Sequence, residues 1–199
     1  QPLQATDMDA VVAIAGRVHP ALPERPAVLA EKQRLFPAGC RKLVIVNSHG
    51  GNSAVMTQIA LDLRARCNML VAPVSWGRFG YADDLFSERE QAHGIHGGDI
   101  ETSLMLGFRP DLVRMNLADD FRPSSLDMER EFTWLRAIKP VGFGWMAEDL
   151  STSGAMGDAS IATSDKGDAA ADYGATAFIE LLRDVEAFDL SLLGREPEL

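Results

Sequence analysis

The chain holds two cysteines, Cys40 and Cys67, in 199 residues. Neither belongs to a CxxC pair, which disfavours a structural zinc site made of thiolates, and free thiols of the cytosolic kind are expected. Positive charge is also scarce: 19 Lys and Arg stand against 29 Asp and Glu, for a net charge of -10. A surface of that sign repels phosphate, which argues against nucleic acid or an anionic membrane as the main partner. No apolar run approaches the ~20 residues of a membrane-spanning helix, and no charged-plus-apolar signal pattern opens the sequence. The nucleophile elbow GxSxG is absent, as are the phosphate loops GxxxxGK[ST] and GxGxxG, which disfavours a serine hydrolase and a nucleotide site of those types. Of the three tryptophans, Trp76 and Trp134 are expected to pack, whereas Trp145 lies in a glycine-rich loop and can line a pocket.

What is present suggests one α/β domain over residues 1–199. Hydrophobic residues make up 46% of the chain and charged residues 24%, the balance of a water-soluble globular core. Residues 7–18 read as a helix, with Met8, Val11, Val12, Ala15 and Val18 at helical spacing and Thr6 or Asp7 as its cap. Pro20, Pro23 and Pro26 forbid regular helix after it. A short strand over 27–30 and a helical fragment over 31–36 follow, too small to cover a sheet, so a segment is expected to be missing near residue 30. Residues 43–46 predict a buried strand, 52–67 a helix with Val55, Ile59 and Leu63 on one face, and 69–74 a second buried strand. Strand, helix, strand in this order implies a right-handed crossover and a parallel sheet. Residues 76–91 read as a loop able to wall a site. Residues 98–106 read as a short helix that buries Ile100 and Leu104, with Met105 at the margin. Residues 109–140 are mixed, a glycine-rich loop runs from 143 to 158, and a last helix covers 164–188 with Ala171, Ala175, Phe178, Leu181, Leu182 and Val185 inward.

Chemistry concentrates at two similar turns. Asn47-Ser48-His49-Gly50-Gly51-Asn52 follows the first strand at the sheet edge where ligands bind in open α/β folds. Its glycines allow close backbone approach, and the helix behind it offers free N–H groups. The residues alone leave a phosphate cradle, a metal site and an oxyanion hole all open, next to an ordinary hydrogen-bonded strand-end histidine. The second turn is His96-Gly97-Gly98-Asp99-Ile100-Glu101, with His93 just upstream. Glu101 has apolar neighbours in Ile100 and Leu104, so a partly buried carboxylate in need of a cation is expected. The plain alternative is an acid favoured by the helix dipole. His93, His96, Asp99 and Glu101 together are of metal-compatible type. Asp7 by itself is only a helix cap.

Taken jointly, these stretches resemble the creatininase-like amidohydrolases. Residues 46–52 are similar to that family's N-G/S-H-G-G-N signature, and 96–106 to its H-A-G-x-x-E-T-S-L-M-L signature. Residues 153–158 with Ala162, Thr163, Lys166 and Gly167 resemble its S-G-V-M-G-D-P…A-T…K-G pattern, and 2–7 its L-P-L-x-T-D element. The resemblance implies a three-layer α/β/α fold with a mostly parallel central sheet, assembled as a homohexamer. It implies a divalent metal centre, commonly two ions (Zn, Mn or Fe), that hydrolyses a C–N amide bond of a small cyclic amide or formamide through a metal-activated water. Carried over by position, Asp7 bridges the metals, His49 is a terminal ligand, Glu101 is a ligand or a close carboxylate, and His96 is the proton shuttle. Gly50, Gly51, Asn52 and Trp145 are the expected substrate contacts.

The departures narrow this. Creatininase itself has a metal-ligating Glu where this chain has Gly51, and a Trp where it has Ala92, so creatinine is not the expected substrate. Formamides of flavin-type cofactor pathways and a modified peptide fit other branches. The family's E-x-H-G-x-H element would precede Gln1, and its P-Y-G and F-P-G-T pieces have no counterpart near residue 30. Those stretches are expected to exist elsewhere in the protein, because losing a strand from a sheet exposes core. The competing expectation is a creatininase-fold subunit with an incomplete metal centre that serves binding or assembly. A weaker one is a phosphate- or nucleotide-binding α/β domain.

Overall fold

A computed structural model describes residues 10–15 and 39–194. The chain divides into two compact units, Gln1–Gly80 with Thr176–Leu199, and Tyr81–Ala175. No helix among the described residues is long and apolar enough to cross a membrane.

The first unit is built on three parallel strands, β1 (Ala10–Ala15), β2 (Lys42–Asn47) and β3 (Leu70–Ser75), in that spatial order. Helix α1 (Ser53–Cys67) connects β2 to β3, and α6 (Ser164–Ala187) supplies this unit from Thr176 onward. Every residue of β2 is buried, as expected of a central parallel strand. Because side chains alternate along a strand, β2 feeds two separate cores. Leu43 and Ile45 pack with Met56, Leu63 and Cys67 of α1. Val44 and Val46 pack with Val74 and with Phe178, Leu181, Leu182 and Val185 of α6. Val44 is 0% exposed, a burial contributing roughly 2 kcal/mol. Lys42 is also buried, and its Nζ donates to the Glu186 carbonyl at 2.6 Å, near the negative end of α6. Asn68 ends α1 at a φ of 49°, a left-handed conformation that asparagine tolerates better than most residues. Neither cysteine is in a disulfide, and both are buried in the α1-side core.

Two expectations fail here. The predicted helix over 7–18 is strand β1 across Ala10–Ala15, paired residue for residue with β2. The run Ala-Val-Val-Ala-Ile-Ala satisfies a helical period and a continuous buried strand equally; pairing to β2 decides between them. The predicted cap at Thr6 or Asp7, the strand over 27–30 and the fragment over 31–36 lie outside the described residues. On α1 Leu63 is buried and Ile59 packs against the same core as expected, but Met56, Ala60 and Cys67 complete the buried face and Val55 is 40% exposed. The face is set by the packing against β2, not by which residue is most hydrophobic.

The second unit has smaller pieces. Helices α2 (Glu88–His93) and α3 (Asp99–Phe108) flank the second glycine turn. Strands β4 (Asp120–Phe121) and β5 (Gly157–Asp158) pair antiparallel, and α4 (Ser125–Glu131), α5 (Ala147–Leu150) and the first half of α6 complete it. Ser87 caps α2 by accepting from the Glu90 N–H at 3.1 Å, so the region predicted as loop over 76–91 already contains a helix start. One core joins Phe86, Ile100 and Ala170, the other Ala137, Leu150 and Met156. Met105 is exposed on α3 rather than marginal to its inner face.

Candidate active site

The His49 turn is held by amides. Asn47, fully buried at the end of β2, donates from Nδ2 to the His49 carbonyl at 2.7 Å and to Ser75 Oγ at 3.0 Å. Its Oδ1 accepts from the His49 N–H at 3.2 Å and from Asn52 Nδ2 at 3.0 Å. Asn52 is therefore a buried brace of the turn, whereas Gly50 and Gly51 are exposed. A Cβ on Gly51 would lie 2.9 Å from His49 Nε2, so the missing side chain is what lets the imidazole fold back over the turn.

The His96 turn is held by carboxylates and by the segment 153–158. His96 and Met156 bridge through their backbones, with the Met156 N–H donating to the His96 carbonyl at 2.6 Å. Glu101 Oε2 accepts from the Gly97 N–H at 2.8 Å and lies 3.8 Å from His96 Nδ1. Both side chains are half exposed, 48% for His96 and 51% for Glu101. The expectation that Glu101 is a partly buried carboxylate is thus corrected: it sits in the first turn of α3, where an exposed acid satisfies a free N–H.

The buried carboxylates are its neighbours. Glu90 in α2 accepts from the Ile100 N–H and the Asp158 N–H, each at 3.2 Å. Burial pushes its carboxyl above the ordinary glutamate range, partly offset by those N–H groups. Any Cβ on Gly94, Gly98 or Gly157 would run into this carboxylate, so three motif glycines form its cradle. Asp99, 1% exposed, is paired with Lys166 Nζ at 2.7 Å and accepts from Ser103 Oγ at 3.0 Å. Ser103 Oγ in turn accepts from the Thr163 N–H at 3.1 Å, and Gly167 lies hard against the Ser103 carbonyl. The A-T…K-G residues therefore clamp the start of α3. Sequence reasoning missed Glu90, since a glutamate in Glu-Arg-Glu-Gln-Ala-His carries no sign of burial; the only signal was three glycines with nothing to explain them.

The expected cluster of His93, His96, Asp99 and Glu101 does not form. His93 is buried and engaged at Nδ1 by Ser125 Oγ and at Nε2 by Glu129, each at 3.0 Å, and Asp99 is taken by Lys166. Ser125 is itself buried, so this arrangement joins α2 to α4 and presents no nucleophile. Among the described residues no three His, Cys, Asp or Glu side chains are grouped so as to hold a metal. Asp7 lies outside those residues. Trp145 is half buried, with its Nε1 donating to the Ala137 carbonyl at 2.8 Å.

Beside Gly97 and Glu101 opens a cleft of about 360 Å³, walled by Met105, Leu112, Leu117 and Phe121 and including Arg114. The field next to it is negative. Tyr81, half buried, has its phenol pushed up by burial and then by the Glu101 and Glu90 carboxylates.

Residues 27–182 match the family model described as creatinine amidohydrolase. The chain belongs to the creatininase family. Solved structures agree in fold. A presumptive creatinine amidohydrolase from Bacteroides fragilis NCTC 9343 superposes with a TM-score of 0.63 at 20% identity, covering 90% of this chain and 71% of its own. A creatininase described with Mn gives 0.57 at 22% identity, covering 79% of this chain and 62% of its own. A mutant creatininase of Zn-Zn type gives 0.59 at 24% identity, covering 79% and 61%. This chain therefore spans about three fifths of those two creatininases. No curated protein sequence matches it significantly.

Proposed function

We propose that this creatininase-family chain is a metal-dependent amidohydrolase that cleaves a C–N bond in a small cyclic amide or formamide. The observation that carries the reading is the His96–Glu101 pair, 3.8 Å apart at the N-terminal end of α3 beside an open cleft. Support comes from the family match and from related folds described with Mn or Zn-Zn. An imidazole and carboxylates are the donor types a borderline divalent cation prefers. Asp7, His49 and Glu101 are the proposed donors, completed by ligands outside this group. The bound metal would supply a hydroxide from water and polarise the amide carbonyl.

The chain's own residues do the rest. Glu101 is fixed by the Gly97 N–H and stands 3.8 Å from His96 Nδ1. His96, half exposed, is proposed to hand a proton from Nε2 to the leaving nitrogen, a transfer without which an amine is expelled as an anion. The exposed Gly50 and Gly51 leave room for substrate. Gly51 and Ala92 support a substrate other than creatinine. The three-layer sandwich, the homohexamer and a cytoplasmic setting are proposed from family resemblance.

Metal analysis of the protein together with Glu101→Gln is the test. About two divalent ions per chain and a loss of roughly 100-fold or more in amide hydrolysis are expected. No bound divalent ion, with hydrolysis untouched by Glu101→Gln, would sink the reading. That outcome would favour a fold-only subunit for binding or assembly, which draws its own support from the structural work of the signature residues Gly98, Gly157, Lys166 and Gly167.

A further inference from the structure

We infer that the cleft beside Glu101 is a subsite for the carboxylate of an apolar-bodied ligand, with Arg114 as its anchor. The starting point is how the arginines of the second unit are used. Arg89 pairs with Asp120, Arg109 with Asp111, and Arg122 and Arg130 with Asp127, while Arg136 donates to main-chain carbonyls. Arg114 is the remaining arginine between Tyr81 and Ala175; its carbonyl accepts from the Leu117 N–H at 2.9 Å, and among the described residues no hydrogen bond or ion pair engages its guanidinium. It is also the one that lines the cleft. Its side chain is exposed, and the guanidinium's fork geometry matches a carboxylate in two-point contact.

The walls set the rest of the ligand. Met105, Leu112, Leu117 and Phe121 are apolar, and Leu112 and Leu117 are more than half exposed, so a hydrocarbon or aromatic body would remove their surface from water. A volume of about 360 Å³ suits a body the size of one aromatic amino acid. Glu101 at the same cleft would repel a second anionic group, which orients the carboxylate toward Arg114 and the neutral amide toward Glu101. The ligand class is therefore an N-acyl or N-formyl amino acid, or a cyclic amide bearing a carboxylate. As a substrate it would consume one water, breaking the C–N bond to release the acid and the free amine, with the proton delivered to nitrogen. The inference rests on the proposed amidohydrolase function for that reaction, and on the cleft alone for binding.

The test titrates the full-length protein, as purified, with N-formyl-L-phenylalanine and with N-formyl-L-phenylalaninamide, which differ only in the carboxylate. Calorimetry reads affinity, and formate release reads turnover. The carboxylate probe should bind about tenfold more tightly. Arg114→Met should collapse that ratio to about one, and Arg114→Lys should retain part of it. Arg109→Met, whose partner is Asp111, should leave the ratio where it was. Circular dichroism checks that each variant is folded. Equal affinity for both probes in the wild type overturns the subsite even if both are hydrolysed. Arg114-dependent binding without hydrolysis keeps the subsite and removes the amidohydrolase. If neither probe binds and Arg114→Glu changes the assembly state in light scattering, the cleft is an interface between copies and the inference is wrong.

Discussion

The two turns share the tripeptide His-Gly-Gly and almost nothing else. Around His49 the supports are neutral: Asn47 and Asn52 exchange amide hydrogen bonds inside the first unit. Around His96 they are charged: Glu90 sits in a glycine cradle and Asp99 is locked to Lys166 inside the second unit. A buried amide network has the same strength at any pH. A buried carboxylate network depends on protonation and on each partner being present, because an unpaired buried charge costs more than an unpaired buried amide. The lesson is that one motif can be fixed by two kinds of chemistry, with two kinds of vulnerability.

The comparison is broken most severely by Gly167→Ala. The new Cβ would overlap the Ser103 carbonyl, which is backbone and cannot rotate aside, and a loss of about 3 kcal/mol or more is expected in denaturant unfolding. Lys166→Met comes next. It leaves Asp99, 1% exposed, without its cation, for about 3 kcal/mol; a loss under about 1 kcal/mol would mean the pair is not what holds the start of α3. Asn47→Ala tests the neutral side. It removes the Asn47 Oδ1 that the Asn52 amide and the His49 N–H donate to, for about 2 kcal/mol, and that loss should be the same at every pH where the protein folds.

A smaller effect separates the turns by pH. Glu90 titrates above its ordinary range when folded, so its contribution to stability is full below the ordinary glutamate pKa and is lost as pH rises through the raised value. The stability of wild type minus that of Glu90→Gln should therefore decrease with rising pH over that window; a difference that grows instead contradicts the assignment. The smallest change is Gly51→Ala. Its Cβ meets only the end of the His49 ring, so stability should move by less than about 1 kcal/mol, while the His49 ring resonances shift in NMR.

Much of this was legible beforehand where a pattern had one physical meaning. Val44-Ile45-Val46 after Leu43 is β-branched, short and bounded by a glycine turn, which favours a buried strand, and the long helix ending at Ala187 announced itself through Phe178, Leu181, Leu182 and Val185. The His96–Glu101 proximity followed from five positions across a helix start. The strand Ala10–Ala15 was misread because its alanines and β-branched residues fit either period, and only hydrogen bonding to Lys42–Asn47 distinguishes them.

The sequence by itself determined the parallel strand–helix–strand of the first unit, the two histidine turns and the family, because these rest on local periodicity and contiguous motifs. Tertiary structure alone decided which carboxylates are buried. Glu90 and Asp99 were indistinguishable from Glu101 in a string of letters, yet Glu90 is enclosed by three glycines from two separate segments and Asp99 meets a lysine far along the chain. Burial of a charge depends on partners that are distant in sequence, and only folding brings those partners within a hydrogen bond's length.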